Sequence, residues 1–445
     1  MSSITLASNQ PVCRLRYPGI AILPGIAITV LFLAVFGNGI DIARNVDRSL
    51  GVSISFQVLF RIGVGACALA VGVWGWWRLP VVRRLLQTNR GWLVIAFIGG
   101  AFLSIFQSPE KPVSLFVASM IFGYSLLTLT CLSLYSFKTV SLTVMLAVWA
   151  FVLLSWGAYL FYPEIGVFKE YLSLTRSVDR MGGLGHPNTT GRSVCLATVM
   201  LLVACKQQWI SWRWAIPAIP LLVLTLIETK SRSPVVATAL AIGIVCLPLL
   251  KLRWIYLVIA GLFVALAASL LYIESTAGLD LFLEKTLLKT SKSGSLQEIT
   301  SLTGRTEIWE ESIKHIRSSP LIGHGGGSSA KIMFEHSGHA HNMLLEAALL
   351  YGIPITLVVA SLLMLNIKDS FCSRIPMIPE FTVFVVVLGL VESPMVGMPA
   401  DPILALWLAS IFAKPLQELE QQSAATVAEQ RLHLPDGSYP GWFND

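Results

Sequence analysis

Four side chains capable of acid–base or hydrogen-bond chemistry stand together in the stretch SGHAHNMLLEAALLYG (337–352): His339, His341, Asn342 and Glu346. The stretch turns apolar at Met343, so the histidines sit where a membrane helix is predicted to begin. The N-terminus of a helix carries roughly half a positive charge and disfavours an imidazolium. His341 is therefore expected to be neutral and able to act as a base. Glu346 falls about 6–8 Å into the same helix at ~1.5 Å rise per residue. An ionisable group that deep in a span is a functional candidate. Its other possible roles are to orient His339 or to hold an outer loop.

Other reactive residues collect in the same kind of place. Of the seven histidines, His186, His315, His324, His336, His339 and His341 lie outside the apolar runs, as do Arg176, Arg180, Lys230, Arg232 and Arg305, and Arg192 stands at the outer start of one. Thr189, Thr190 and Gly191 can open one helix, Ser233-Pro234 is a start signal for another, and His341-Asn342 opens a third. Each start carries its own ionisable residue: Arg192, Arg232 or His341. Three positive helix ends with two arginines make an anion site suited to a lipid pyrophosphate. The run GHGGG (323–327) reads either as a phosphate-cradling nest or as a turn. Residues 306–317 read as an amphipathic helix with Ile308, Trp309, Ile313 and Ile316 along one side, fit to lie on a membrane surface. Arg176 and Arg180 read as headgroup anchors, and His315 and His336 as polar surface.

These residues must be positioned by membrane helices. The 445-residue chain is 55% hydrophobic and 13% charged, with a mean hydropathy of +0.71. Soluble domains carry roughly 25% charged residues. A span needs ~20 apolar residues, and twelve candidates are present: 18–37, 55–77, 91–107, 113–136, 140–161, 191–205, 214–228, 235–250, 254–273, 342–366, 380–391 and 402–413. The predicted fold is an all-α integral membrane protein of about twelve transmembrane helices, with a long outer loop domain at 274–341 that contains short helices. With both termini in the cytoplasm, Arg14, Arg78, Arg83, Arg84, Arg90, Lys138, Lys206, Arg213, Lys251, Lys368 and Lys414 all face inward, as the positive-inside rule requires. The +7 net charge then reflects topology and not nucleic-acid binding. Residues 1–182 hold five spans and a first large outer loop, and 183–360 hold the reactive motifs. Residues 361–414 hold the last spans, and 415–445 form a cytoplasmic tail. No acidic or cysteine cluster has metal-ligand spacing, so neither a metal nor another cofactor is expected.

The ordered set GLGHPNTTGR (183–192), TKSRSP (229–234), TGRTEIWEESIKHIRSSPLIGHG (303–325) and HAHNMLLEAALLYGIP (339–354) resembles the O-antigen ligase and polysaccharide polymerase superfamily. The resemblance spans 183–360. It implies a metal-independent, inverting glycosyltransferase of the inner membrane, with its active site on the periplasmic side. The donor would be a glycan on undecaprenyl pyrophosphate, and the acceptor a glycan, lipid A-core or a protein. Carried over motif by motif, Arg232 and Arg305 would engage the pyrophosphate, with looser matches at Arg192 and His186 and with Lys230 nearby. The essential histidine would be His341, with His339 as its competitor. The shared motifs do not separate polymerase from ligase. A transporter or flippase of lipid-linked glycans is the alternative. It calls for ionisable residues near the bilayer midplane, where Arg61 is the main candidate, and for paired broken helices.

Overall fold

A computed structural model describes residues 23–40, 56–171, 177–231, 233–246, 305–333, 338–372, 375–396 and 401–432. In chain order its elements are α1 (Leu23–Asn38), α2 (Phe56–Arg78), α3 (Pro80–Leu86), α4 (Asn89–Leu103), α5 (Lys111–Leu134), α6 (Phe137–Phe161), α7 (Pro163–Gly166), β1 (Val167–Tyr171), β2 (Ser177–Met181), α8 (Pro187–Lys206), α9 (Ala218–Thr229) and α10 (Ser233–Cys246). After the undescribed stretch come α11 (Arg305–Ser318), α12 (Ser329–Ile332), α13 (Met343–Tyr351), α14 (Ile353–Cys372), α15 (Ile378–Gly389) and α16 (Pro402–Leu432).

The protein is a mostly helical membrane bundle. Among the described residues, seven helical segments are long and apolar enough to cross a membrane: Val58–Arg78, Asn89–Gln107, Lys111–Leu134, Phe137–Phe161, Pro187–Lys206, Trp212–Thr229 and Ile353–Cys372. Shorter apolar helices cover Leu23–Gly37, Pro234–Val245 and Ile378–Gly389. The predicted span 254–273 lies outside the described residues. Buried side chains from α1 to α16 form one continuous core. Gly72 and Gly75 let α2 close on α5: a Cβ at Gly72 would come within 2.6 Å of the Leu126 Cβ, and one at Gly75 within 2.0 Å of the Thr130 hydroxyl. Small residues at such contacts are how helices associate where lipid removes the hydrophobic drive. Lipid-facing positions stay apolar, as Leu146, Leu153 and Leu160 show along one side of α6. Trp76, Trp77, Trp92, Trp212 and Trp214 are exposed at helix ends beside Arg78, Arg90 and Arg213, as interfacial tryptophans are.

Two predicted elements change. The polar loop at 162–190, expected to be part of an all-α fold, contains an antiparallel hairpin in which Phe168 pairs with Arg180 and Glu170 with Val178. Val, Phe and Tyr in those segments favour extended backbone. The predicted single span 342–366 is two helices broken at Gly352. Gly352 has φ +83, and a Cβ there would lie 2.4 Å from the Leu321 carbonyl oxygen. The preceding loop docks into this break. The His324 and Gly325 amides donate to the carbonyls of Leu349 and Leu350 at 2.9 and 2.8 Å, and the Ile353 amide donates to that of Pro320 at 2.8 Å. The GHGGG run is thus a turn that satisfies the C-terminal carbonyls of α13, and those amides are not turned towards a phosphate. The predicted amphipathic helix is α11. It packs on α13 through Ile308, Ile316, Ala348 and Leu349, with Met333 at the end of α12 in the same cluster, while Ile313 is exposed.

Candidate active site

The histidine segment is held by its own helix start. Asn342 caps α13, its side-chain oxygen accepting from the amides of Leu344 and Leu345 at 3.0 and 3.1 Å. Glu346, 1% exposed, has both carboxylate oxygens engaged. One accepts from the Ser329 hydroxyl, and the other accepts from the Ala340 amide at 2.7 Å. Of the roles open to Glu346, the geometry is that of an anchor, because it ties the residue between the two histidines back onto the helix. His341 itself has φ +50, a left-handed conformation uncommon for a residue with a Cβ. The rings of His339 and His341 stack at a tilt of 44°, with centroids 3.9 Å apart.

A carboxylate that the sequence reading did not single out completes this group. Glu392, just past α15, lies 3.9 Å from His339 Nε2 and 3.8 Å from His341 Nδ1. Its loop is fixed independently, by its own amide donating to Leu388 at 2.8 Å and by the Asn342 side-chain amide donating to Leu390 at 3.2 Å. Burial pushes the Glu392 carboxyl up, but the two imidazoles, then Arg192, outweigh burial and hold it well below the usual carboxylate range.

The second group sits at the start of α8. His186, not Thr189 or Thr190, is the N-cap: its Nδ1 accepts from the Asn188 amide at 3.3 Å, with Pro187 in the first turn. Its ring meets Phe168 edge-on at 5.0 Å. Arg192, further along α8, donates to Asp401 at 2.8 Å. Asp401 also caps α16, accepting from the Ile403 amide at 2.8 Å. Arg180, predicted to be a headgroup anchor, is instead 2% exposed. Its guanidinium donates to the Thr229 carbonyl at 2.8 Å, Glu170 at 2.7 Å and Asn188 at 2.9 Å. These bonds fasten the hairpin to the ends of α8 and α9, because a buried guanidinium must have its donors satisfied.

Both groups open on one cavity of about 600 Å³. His186, Arg192, His339, His341 and Glu346 all line it, along with Arg61, Tyr124, Arg180, Glu392 and Asp401. One wall is apolar, built from Leu33, Val64, Phe116, Val117 and Met120. Lys230 ends α9 in a left-handed conformation, φ +50, and is not among the lining residues. Arg305 opens α11, with its side chain outside what the structure describes, and Arg232 lies outside the described residues. His315 is placed elsewhere: it pairs with Glu311 at 2.8 Å, and His324 Nε2 lies 3.0 Å from its carbonyl. Glu392 and Asp401 had faint sequence signals, an acid ending an apolar run and an Asp-Pro helix start.

The bundle and its polar cavity define a multi-pass membrane protein with its reactive side chains gathered at one end. Residues 217–360 match the family model described as O-antigen ligase, which supports the O-antigen ligase superfamily for this chain. The match points to glycan handling of the O-antigen ligase and polymerase type for the segment it covers. The matched segment holds α9, α10, α11 and α13, while the α8 start that supplies His186 and Arg192 lies just before it. No curated protein matches the chain.

Proposed function

We propose that the protein is an inverting, metal-independent glycosyltransferase. It transfers or polymerises glycan from an undecaprenyl-pyrophosphate-linked donor on the periplasmic side of the inner membrane. The observation that carries this reading is the shared cavity, which combines a histidine–carboxylate group, a guanidinium at a helix start and an apolar wall. A lipid-linked sugar pyrophosphate needs all three: a base for the acceptor, positive charge for the leaving group, and cover for an isoprenoid chain.

With Nδ1 of His341 towards Glu392, Nε2 is the nitrogen that takes the proton from the acceptor hydroxyl. Glu392 holds the ring and offsets the charge of the imidazolium that forms. The acceptor oxygen bonds to the anomeric carbon as the carbon–oxygen bond to the pyrophosphate breaks on the opposite face. The electron pair leaves with the lipid pyrophosphate, and the anomeric configuration inverts. Arg192 meets the developing phosphate charge, with His186 lining the same cavity; the motifs assign Arg232, Arg305 and, more loosely, Lys230 to the same task. His339, which shares Glu392, is the other candidate base. Because Glu346 has both oxygens occupied, its contribution is to keep the histidines in place.

The test is transfer by the purified full-length protein from a lipid-pyrophosphate donor to an acceptor. His341→Ala should lower the rate by about 10²–10⁴, the usual contribution of a general base. Undiminished turnover in that variant would remove His341 as base and leave His339 to be tested the same way. Polymerase and ligase separate on gene deletion: shortened glycan chains mark the first, and unattached full-length chains on the lipid donor mark the second. For the transporter reading, Arg61 would have to be a separate charge near the midplane. It lines the same cavity as the histidines.

A further inference from the structure

The two histidines and Glu392 are also a ligand set. One ring nitrogen from each histidine and a Glu392 carboxylate oxygen lie within 4.8 Å of one another, and His339 Nε2 and His341 Nδ1 are 3.9 and 3.8 Å from that carboxylate. We propose that this trio is a transition-metal site, and that a Zn²⁺ ion bound there switches the enzyme off. The inhibition rests on His341 as base; the binding does not.

Bond lengths of about 2.0–2.2 Å place tetrahedral Zn²⁺ ligands roughly 3.3–3.5 Å apart. The carboxylate contacts, at 3.9 and 3.8 Å, must shorten by only about half an ångström to reach that spacing. His339 is the least buried of the three side chains, at 39% exposure, and has room to turn. The backbone under the donors is already fixed by bonds that do not use them: Ala340 to Glu346, Asn342 to Leu390 and Glu392 to Leu388. Such prior fixing is what a preformed site requires. Two imidazoles with one carboxylate select zinc, cobalt, nickel or iron over magnesium and calcium, which favour all-oxygen shells. The three residues all line the cavity, so an ion can enter and its remaining positions face the space that the substrate would fill.

Inhibition follows from the nitrogen used. A neutral imidazole carries one proton, so a metal on Nδ1 fixes that proton on Nε2. Nε2 then cannot accept the proton of an acceptor hydroxyl. The ion also takes Glu392 away from its role beside the ring.

The experiment uses the full-length protein in detergent, with Co²⁺ as a spectroscopic probe and Zn²⁺ as the inhibitor. One Co²⁺ per chain should give the visible absorption of a nitrogen- and oxygen-ligated ion, displaceable by Zn²⁺ and unaffected by excess Mg²⁺. His339→Ala and Glu392→Gln should each weaken Co²⁺ binding by more than the ~10–100-fold typical of losing an outer-shell partner. His315→Ala, remote from the cavity, should leave binding and turnover unchanged. Zn²⁺ should abolish glycan transfer, and EDTA should restore it. Failure of the wild type to bind Co²⁺, or binding as tight in both ligand variants as in the wild type, overturns the site. Tight binding with full transfer in saturating Zn²⁺ overturns the switch. Co²⁺ binding in a protein that transfers no glycan at all sinks the transferase reading and leaves the metal site standing.

Discussion

The two ends of the bundle are built from the same chemistry and use it in opposite ways. At the end away from the cavity, Arg90 of α4 grips both carboxylate oxygens of Asp369 on α14, and one of its nitrogens also donates to the Ile411 carbonyl of α16 at 2.7 Å. Lys414 adds a contact to Asp369 at 3.9 Å, and Lys206 reaches Glu380 at 3.2 Å. The Asp369 carboxylate is fully buried and none of these residues lines the cavity, so three helices are pinned by charges turned away from it. At the cavity end, the pairs Arg192–Asp401, Arg180–Glu170 and the histidines with Glu392 surround a space of about 600 Å³. An ion pair away from the cavity is a clamp. The same pair on a cavity wall is a site, because a substrate can share or exchange its partners.

Substitutions can break this contrast, and the base has the largest expected effect. His341→Ala should cost about 10²–10⁴ in transfer rate with an unchanged thermal midpoint. A fall in midpoint that explains the lost rate would make His341 a structural residue. At the closed end, Arg90→Met should remove about 3–5 kcal/mol of stability, as loss of one partner of a buried pair does. The folded fraction should turn over normally, which unfolding and activity assays on the same sample would separate. Arg192→Ala should behave in the reverse sense, losing about 10²–10³ in rate, as for a removed charge stabiliser, with a smaller loss of stability because cavity water can reach Asp401. Comparable destabilisation at Arg192 and Arg90, with turnover kept, would erase the distinction between the ends.

Two smaller effects sharpen it. The Glu392 carboxyl is depressed in the folded protein, so its stabilisation is present above the ordinary carboxylate range and is lost as pH falls through that range towards its own lower value. Thermal midpoints measured across that range should fall less steeply in Glu392→Gln than in the wild type. Asn342→Ala removes a helix cap and should cost about 1 kcal/mol, read as a small shift in midpoint. A shift as large as that of Arg90→Met would mean that the cap supports much more than one helix turn.

Much of this was legible along the chain. Long apolar runs gave α2, α4, α5, α6 and α8 close to their observed ends, because a bilayer demands length and hydrophobicity that cannot be disguised. The helix openings at His341-Asn342 and Ser233-Pro234 followed from local chemistry alone. Arg180 went the other way: its charge suggested a headgroup contact, and only the packed hairpin revealed three internal acceptors. The break at Gly352 was hidden because its cause is the Pro320–Leu321 backbone, which the fold alone brings against it.

The sequence by itself determined that the chain enters a membrane, where most helices start, and that its reactive residues crowd one set of helix ends. These follow from side-chain hydrophobicity and from dipoles that act within a turn of backbone. The tertiary structure decided which charges meet: Glu392 with the two histidines, Asp401 with Arg192, and Asp369 with Arg90. Those partners are remote in sequence, and a Coulombic contact depends on distance in space, which only the packing of the bundle sets.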